Sequence, residues 1–306
     1  MDKLDSGLLR AIADLDGIPA GAYNIRRDGG LAGRASTPNI EIISKTDKPG
    51  IDIHIKPGTK GESVHIPVIL TQSGLNDLVY NDFYIGEGAD VDIIAGCGIH
   101  NDGCNTTQHD GIHTFHLGRH ASVRYVEKHY GEGGGSGARV LNPQTVIHLD
   151  EGASMTLDMV QIRGVDSTKR DTRVYADGAG SECIVNEKLL TDGEQFAESR
   201  MTVYLNGADS RTQVTSRSVG RGHSTQVFYP QVEGNTRCFG HVRCDSIIMD
   251  SAKISSIPAI TAGSLDAQLI HEAAIGRIAG EQLLKLMTLG LTEEEAEQKI
   301  LDGFLR

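Results

Sequence analysis

The sequence lacks several features that define large classes of proteins. No segment approaches the roughly 20 consecutive apolar residues of a membrane-spanning helix, and the N-terminal segment has neither the basic nor the apolar region of a signal peptide. No run of Lys and Arg is long enough to neutralise the phosphates of a nucleic acid, and the net charge is -12. These absences predict a soluble, cytoplasmic protein that binds neither membranes nor nucleic acids.

Cysteines are few, and a nucleotide-binding motif is missing. The five cysteines are an odd number, and without a secretion signal we expect reduced thiols that are available to metals, not a disulfide framework. The chain contains no Gly-x-x-x-x-Gly-Lys-Ser/Thr motif, which forms the phosphate-binding loop of many ATPases. If ATP takes part in the function, we therefore expect a partner protein to bind it.

Much of the sequence consists of short segments in which apolar and polar residues alternate. Residues 1–16 carry apolar residues at nearly helical spacing, followed by a glycine and a proline, so we predict an N-terminal helix within residues 1–20. Over residues 40–260 apolar and polar residues alternate in many short runs, as in Ile51–Ile55. Alternation with a period of two predicts β-strands.

A turn-and-strand motif recurs within these strands. Its alanines Ala89, Ala121 and Ala153 follow one another at intervals of 32 residues, and looser copies follow at shorter intervals. Such intervals are within the range of solenoid repeats, in which each coil stacks on the previous one. We therefore predict a β-helix core over residues 40–260. An immunoglobulin-like sandwich is the alternative that short strands alone would allow.

Helical spacing of apolar residues returns near the C-terminus, and it predicts a helical segment over residues 261–306. Thr292 and Glu295 have the spacing of a capping box, which marks the start of a final helix that ends before Gly303. In this prediction His271 and Glu272 lie at the start of an apolar helix.

One candidate metal site lies in a Gly- and Asn-rich segment. Thiolate and imidazole ligands at short spacing suit zinc or iron, and the segment contains Cys97, His100, Cys104 and His109, followed by further histidines. The spacing matches no familiar zinc motif, so the alternative is that these residues occupy polar faces of neighbouring strands. A metal with an open coordination position would make the protein a zinc-dependent β-helix enzyme.

A second candidate site lies closer to the C-terminus. Cys244 falls in a strand-like segment, where a free cysteine is most often a small buried thiol. His271 and Glu272 would ordinarily be a solvent-exposed pair at the start of a helix. They do not form a zinc-protease motif, because Ile275 stands where the second histidine would be.

Several short motifs follow one another in a characteristic order in the last third of the chain. They are Cys244–Ile248, His271–Ala273, Glu281–Leu283, Gly290–Leu291 and Glu293–Phe304. With these motifs the chain resembles the SufB/SufD family of iron–sulfur cluster assembly proteins. The resemblance implies a right-handed parallel β-helix flanked by helices. It also implies that the protein is a scaffold and not an enzyme.

The resemblance further implies how a cluster would be held. Cys244 matches a SufB cysteine and His271 matches a SufD histidine, and these two residues are thought to hold the nascent cluster at a heterodimer interface. Since one chain carries both, we expect a homodimer in which Cys244 of one subunit lies near His271 and Glu272 of the other. Mixed thiolate, imidazole and carboxylate ligands would hold the cluster transiently and favour its release to recipient apo-proteins.

A partner protein is the last implication of the resemblance. In this family the ABC-type ATPase SufC docks on C-terminal helices, which here contain Glu281, Gln282, Leu283 and Met287. ATP hydrolysis would then be carried out by the partner. A protein that only binds and stimulates such an ATPase, without holding a cluster, is the remaining alternative.

Overall fold

Most of the chain consists of strands in which every second side chain points inward. The computed structural model describes residues 3–305, apart from the side chains of Lys3 and Ile162. In the strand Thr107–Leu117, buried and partly exposed residues alternate without a break, because successive side chains of a strand point to opposite faces. Each such strand requires a core on one side.

The strands form two sheets that face each other. In chain order the elements are α1 (Lys3–Ala13), β1 (Ala22–Arg27), β2 (Gly30–Ala35), β3 (Ile40–Ser44), β4 (Gly50–Ile55), β5 (Lys60–Leu70), β6 (Asn76–Ile85), β7 (Asp90–His100), β8 (Thr107–Leu117), β9 (Ser122–Glu132), β10 (Arg139–Leu141), β11 (Gln144–Leu149), β12 (Ser154–Arg163), β13 (Ser167–Ala176), β14 (Glu182–Thr191), β15 (Phe196–Leu205), β16 (Ser210–Gly220), β17 (Thr225–Gly234), β18 (Cys238–Ile248), β19 (Lys253–Ser256), β20 (Ala259–Ala262), β21 (Ala267–Gly276), α2 (Gly280–Met287) and α3 (Glu293–Phe304). The first sheet has the order β2-β1-β5-β7-β9-β12-β14-β16-β18-β21. The second has the order β19-β17-β15-β13-β10-β8-β6-β4-β3, with β11 beside β8 and β13 and with β20 beside β17.

Successive coils stack in parallel to give a β-solenoid of about eight turns. Ala89, Ala121 and Ala153 are fully buried and occupy the same turn in three successive coils, so the interval of 32 residues is the length of one coil. Later coils are shorter, and hydrogen-bonded residues of neighbouring coils are there 28 or 29 positions apart. The predicted solenoid is therefore confirmed, and the β-sandwich is excluded.

An apolar column fills the space between the two sheets. The rings of Phe83 and Phe115 stack in it with centroids 4.2 Å apart, among buried Ile, Val and Leu side chains of successive coils. Helix α1 covers part of the outer face of β5, β7 and β9 with the buried side chains of Leu8 and Ile12. Gly96 allows this close approach, because a Cβ atom there would lie 2.5 Å from the backbone oxygen of Ile12.

The β-solenoid extends beyond the predicted core at its N-terminal side. The helix ends at Ala13 and strands begin at Ala22, whereas the prediction began the core at residue 40. Strands β1 and β2 form an antiparallel hairpin, as do β3 and β4, so this part of the chain lacks the regular coil that made the repeat visible in the sequence. Residues 1, 2 and 306 of the predicted helical segments lie outside the described residues.

The start of the C-terminal helical segment differs more strongly from the prediction. Residues 267–276 form strand β21, and helices begin only at Gly280, whereas the prediction placed helical structure from residue 261. Leu265 and Leu269 imitate a helical period by their spacing of four. In the structure Leu269 lies on the inner side of β21 and its neighbour Ile270 on the outer side, as strand alternation requires.

The final helix begins where its sequence signal predicts, but it continues through Gly303 to Phe304 instead of ending before Gly303. The hydroxyl of Thr292 accepts a hydrogen bond from the backbone N–H of Glu295, and the Glu295 carboxylate accepts one from the backbone N–H of Thr292. This reciprocal pair is the predicted capping box. None of the helices within residues 3–305 is long and apolar enough to cross a membrane.

Candidate functional site

Two neighbouring strands of the first sheet bring a thiol and an imidazole together. The register of β18 and β21 places Cys244 beside Ala273 and Val242 beside His271. Cys244 and His271 both lie on the inner side of their strands, and Cys244 Sγ is 3.5 Å from His271 Nε2. This contact is made within one chain, whereas the sequence analysis expected it between two subunits.

Burial keeps both groups in their neutral forms at neutral pH. It raises the pKa of the Cys244 thiol to about 11, against a smaller opposite effect of a hydrogen bond with Ser256. Burial also lowers the pKa of His271, and the nearby His241 lowers it further. A neutral imidazole keeps a free lone pair on one nitrogen, and a thiol becomes a soft ligand when it loses its proton. The pair therefore offers one nitrogen and one sulfur donor to a metal.

The Glu272 side chain does not join this pair. It follows His271 directly in the strand and so points to the outer face, where its side chain is 59% exposed and its Oε2 lies 3.6 Å from His241 Nε2. Within the described part of the chain, no three His, Cys, Asp or Glu side chains are arranged to hold a metal ion. The structure thus brings together two of the three predicted cluster ligands, Cys244 and His271.

A small cavity lined by both polar and apolar side chains lies on the inner side of Cys244. Its volume is about 20 Å³, which is enough for one water molecule. The hydroxyls of Ser199 and Ser216 donate hydrogen bonds to the Glu187 carboxylate in its wall, at 2.8 and 3.0 Å. Further wall residues with hydroxyl groups are Ser218, Ser246, Ser255 and Ser256. Cys244 therefore lies near several hydroxyl groups as well as the apolar core.

A buried row of charged side chains continues from this cavity into the solenoid. Arg170 Nη1 donates to Glu187 Oε1 at 3.1 Å, and Arg170 Nη2 lies 3.4 Å from Glu127 Oε2. The hydroxyl of Tyr125 donates to Glu127 at 3.0 Å and lies 2.8 Å from His113 Nδ1. The sequence analysis missed this row. Its signal was present, because the alternation in β9, β13 and β14 places the three charged residues at inward positions.

The second set of predicted metal ligands does not assemble. Cys97 and His109 face the interior and line one small cavity, and His109 Nδ1 is 3.0 Å from Asp77 Oδ2. His100 lies three residues after Cys97 and therefore faces the opposite side of the strand, where an aspartate contacts it. Cys104 is exposed in the loop that follows. The predicted site of four ligands is therefore not formed.

The residues predicted to dock an ATPase lie on an exposed helix. Glu281, Gln282, Leu283 and Met287 belong to α2, in which no residue is buried. Met287 and the neighbouring Leu284 are 39% and 63% exposed. Exposed apolar side chains that lie close together on a helix are typical of a contact surface for another protein.

Known proteins match most of the chain. Residues 77–304 match the family model described as SUF system FeS cluster assembly, SufBD core domain. A protein named iron–sulfur cluster assembly SufBD family protein from Methanothermobacter thermautotrophicus is 25% identical over 84% of this chain and 62% of its own length. Proteins of the same family name from Archaeoglobus fulgidus and Pyrococcus horikoshii are each 26% identical, over 85% and 90% of this chain and 69% and 84% of their own lengths.

The family model covers the candidate site and most of the chain. It begins inside β6 and ends in α3, so it includes both strands of the thiol–imidazole pair and the two C-terminal helices. The chain spans about three fifths of the length of the Methanothermobacter relative. Because the family model covers well over half of the residues, the chain belongs to the SufBD family of iron–sulfur cluster assembly proteins.

Proposed function

We propose that the protein is a scaffold on which an iron–sulfur cluster is assembled, and that Cys244 and His271 are two of the cluster ligands. The 3.5 Å contact between a thiol sulfur and an imidazole nitrogen is the observation that carries this proposal. Thiolate and imidazole are both ligands of iron in iron–sulfur proteins. Since the thiol is protonated before the metal arrives, binding of iron and loss of the thiol proton occur together.

The remaining ligands come from a second copy of the chain in a homodimer. Within one chain only a sulfur and a nitrogen donor lie together, and β21 is the last strand of its sheet, with one edge free of any partner among the described residues. A free edge presents backbone N–H and C=O groups that favour pairing with another chain. Glu272, which is exposed on this strand, supplies a carboxylate at the same interface.

Mixed ligands suit a scaffold that must release its cluster. Cys244 provides the only thiolate of the proposed ligand set from each chain, and the other donors are the imidazole of His271 and the carboxylate of Glu272. Iron held by imidazole and carboxylate exchanges its ligands more readily than iron in an all-thiolate site. Cytoplasmic recipient apo-proteins that offer four cysteines would therefore remove the cluster.

A SufC-like ABC-type ATPase is the proposed partner, and it docks on α2. The support is the exposed apolar side chains of Leu284 and Met287, together with the absence of buried residues in this helix. ATP binding and hydrolysis by that partner would open and close the interface between the two scaffold subunits. The scaffold itself contributes no catalytic residue to ATP hydrolysis.

Anaerobic reconstitution with iron and sulfide tests the ligands. We expect Cys244→Ala and His271→Ala each to lose most of the visible absorption of the bound cluster, because each removes one of the two donors that lie together in a chain. Cys104→Ala is the matched control, since Cys104 is an exposed thiol outside the site. Undiminished absorption in Cys244→Ala would refute the assignment of this cysteine.

ATPase binding is tested separately. In a pull-down with a purified SufC-like ATPase, we expect Leu284→Asp combined with Met287→Asp to abolish binding. Leu31→Asp, which changes a similarly exposed leucine in β2, should bind normally. If Cys244→Ala loses the cluster but still binds the ATPase, the two functions are separate. If the wild-type protein binds the ATPase but takes up no cluster, the protein is better explained as a purely structural partner of the ATPase.

A further inference from the structure

A groove on the outer face of the first sheet carries a concentration of positive charge. Its volume is about 760 Å³, which is within the range of small-molecule binding sites. Strands β16, β18 and β21 form its floor, and the end of α3 forms one wall with Phe304. Arg217, Arg243 and Arg277 line the groove, and Asp245 is its one acidic lining residue.

The charge of this groove is opposite to that of the chain as a whole. The chain has a net charge of -12, yet the three guanidinium groups outnumber the single carboxylate. Asp245 Oδ2 already accepts a hydrogen bond from Arg243 Nε at 2.8 Å. Arg217 lies beside Asp245 in the register of β16 and β18, and no acidic partner contacts it among the described residues. At least one guanidinium group is therefore available to a ligand.

Small residues of β21 create the space in front of these arginines. At the level of Arg217 and Asp245, the next strand carries Ala274. Ala274 is exposed, and Gly276 follows it two residues later. A long side chain at either position would fill the groove. Ile275 and Phe304 add apolar surface beside the charged side chains.

We propose that this groove binds a small organic anion, whose phosphate or carboxylate oxygens contact Arg217 and Arg277 and whose apolar part lies against Phe304. A guanidinium group presents several N–H donors in a planar fork that matches both oxyanions. The site is distinct from the thiol–imidazole pair, because the arginines lie on the outer face of the sheet and Cys244 lies on the inner face. The inference therefore does not depend on cluster binding.

Isothermal titration calorimetry with the full-length apo-protein tests this site. The probes are pyrophosphate and citrate, at an ionic strength of about 0.15 M so that weak attraction to scattered surface charges is screened. We expect saturable binding that Arg217→Gln weakens by about tenfold or more, because it removes charge-assisted hydrogen bonds. Arg277→Gln should weaken binding in the same direction.

The control is Arg211→Gln, which changes an exposed arginine on the outer face of the same strand but outside the groove. It should leave the affinity unchanged. Tighter binding of pyrophosphate identifies a phosphate-bearing ligand, and tighter binding of citrate identifies a carboxylate-bearing one. The proposal is overturned if neither probe binds, or if Arg211→Gln and Arg217→Gln weaken the binding of a probe equally.

Discussion

The two ends of the solenoid are built differently. At the N-terminal end each sheet finishes with an antiparallel strand, β2 in one sheet and β3 in the other, and Ala22 of β1 and Ile40 of β3 are fully buried. At the C-terminal end the sheets simply stop, and no residue of β20 or β21 is buried. Both ends leave a strand edge unpaired among the described residues, but only at the N-terminal end do the last coils still bury apolar side chains, those of β1 and β3. We call the N-terminal end closed and the C-terminal end open in this sense.

The open end is also where the candidate site lies. His271 belongs to the last strand and is only partly buried, while Cys244 belongs to the strand before it and is 3% exposed. An inward-facing residue one coil from an open end is close to the surface without lying on it. The same side chains in a central coil would be enclosed by coils on both sides, whereas at the open end they lie close enough to the surface for the contact with a second subunit that we propose.

The largest expected difference in stability concerns charged side chains. Arg170 lies between the Glu127 and Glu187 carboxylates, and all three are at least 94% buried. We expect Arg170→Met to lower the free energy of unfolding by about 3–5 kcal/mol, because it leaves two buried carboxylates without their cation. Chemical denaturation followed by circular dichroism measures the change.

The open end supplies the comparison for this prediction. Arg243 also pairs with a carboxylate, that of Asp245, but its side chain is 53% exposed. Arg243→Met should therefore cost at most about 1 kcal/mol. Adding Glu187→Gln to Arg170→Met should recover part of the lost stability. Equal costs for Arg170→Met and Arg243→Met would show that burial does not distinguish the two regions.

A smaller difference is expected for a pair of isoleucines. Ile40 is fully buried under the closed end, and Ile270 is 45% exposed at the open end. Ile40→Ala should lower the free energy of unfolding by about 2–5 kcal/mol through lost burial and a new cavity, whereas Ile270→Ala should change it by about 0.5 kcal/mol or less. For dimer formation, measured by size-exclusion chromatography with light scattering, the ranking should be opposite: Ile270→Ala should weaken the dimer more than Ile40→Ala does. A dimer insensitive to Ile270→Glu would argue against an interface at β21.

The contrast between the ends also explains what the sequence could and could not predict. Ala89, Ala121 and Ala153 revealed the central coils because each occupies a turn in which it is fully buried, so a small residue recurs with each coil. The strand that carries His271 was mistaken for a helix because Leu265 and Leu269 are four residues apart, and because polar His271 faces inward while apolar Ile270 faces outward, which breaks the alternation that identifies a half-buried strand.

The contact of Cys244 with His271 depends on the length of one coil. The two residues are 27 positions apart, while neighbouring coils pair at intervals of 28 or 29 residues in this region. The order of the short sequence motifs, on which the family resemblance rests, can identify Cys244 and His271 as site residues. It does not fix the register of β18 against β21, and since the resemblance assigns the two residues to different proteins, the sequence analysis placed the contact between subunits. The buried pairing of Arg170 with Glu127 depends on register in the same way.

A dependence of stability on pH is expected to originate in the central coils of the solenoid. Burial lowers the pKa of His113 and His129 from the ordinary value of 6.5 to about 4 in the folded protein. Between these two values the unfolded chain binds more protons than the folded one. Stability is therefore complete above about pH 6.5 and falls as the pH decreases towards 4, by up to about 1.4 kcal/mol per pH unit for each histidine.

Urea denaturation at a series of pH values between 4.5 and 7 measures this slope. In the double variant His113→Gln with His129→Gln, the slope should be markedly smaller, because glutamine keeps hydrogen-bonding capacity at both positions but does not titrate. His223→Gln is the matched control, since His223 lies in an exposed turn away from the buried row and should leave the slope unchanged. If the stability of the wild-type protein is constant across this pH range, solvent reaches His113 and His129. The interior of the central coils would then be as accessible to solvent as that of the C-terminal coil.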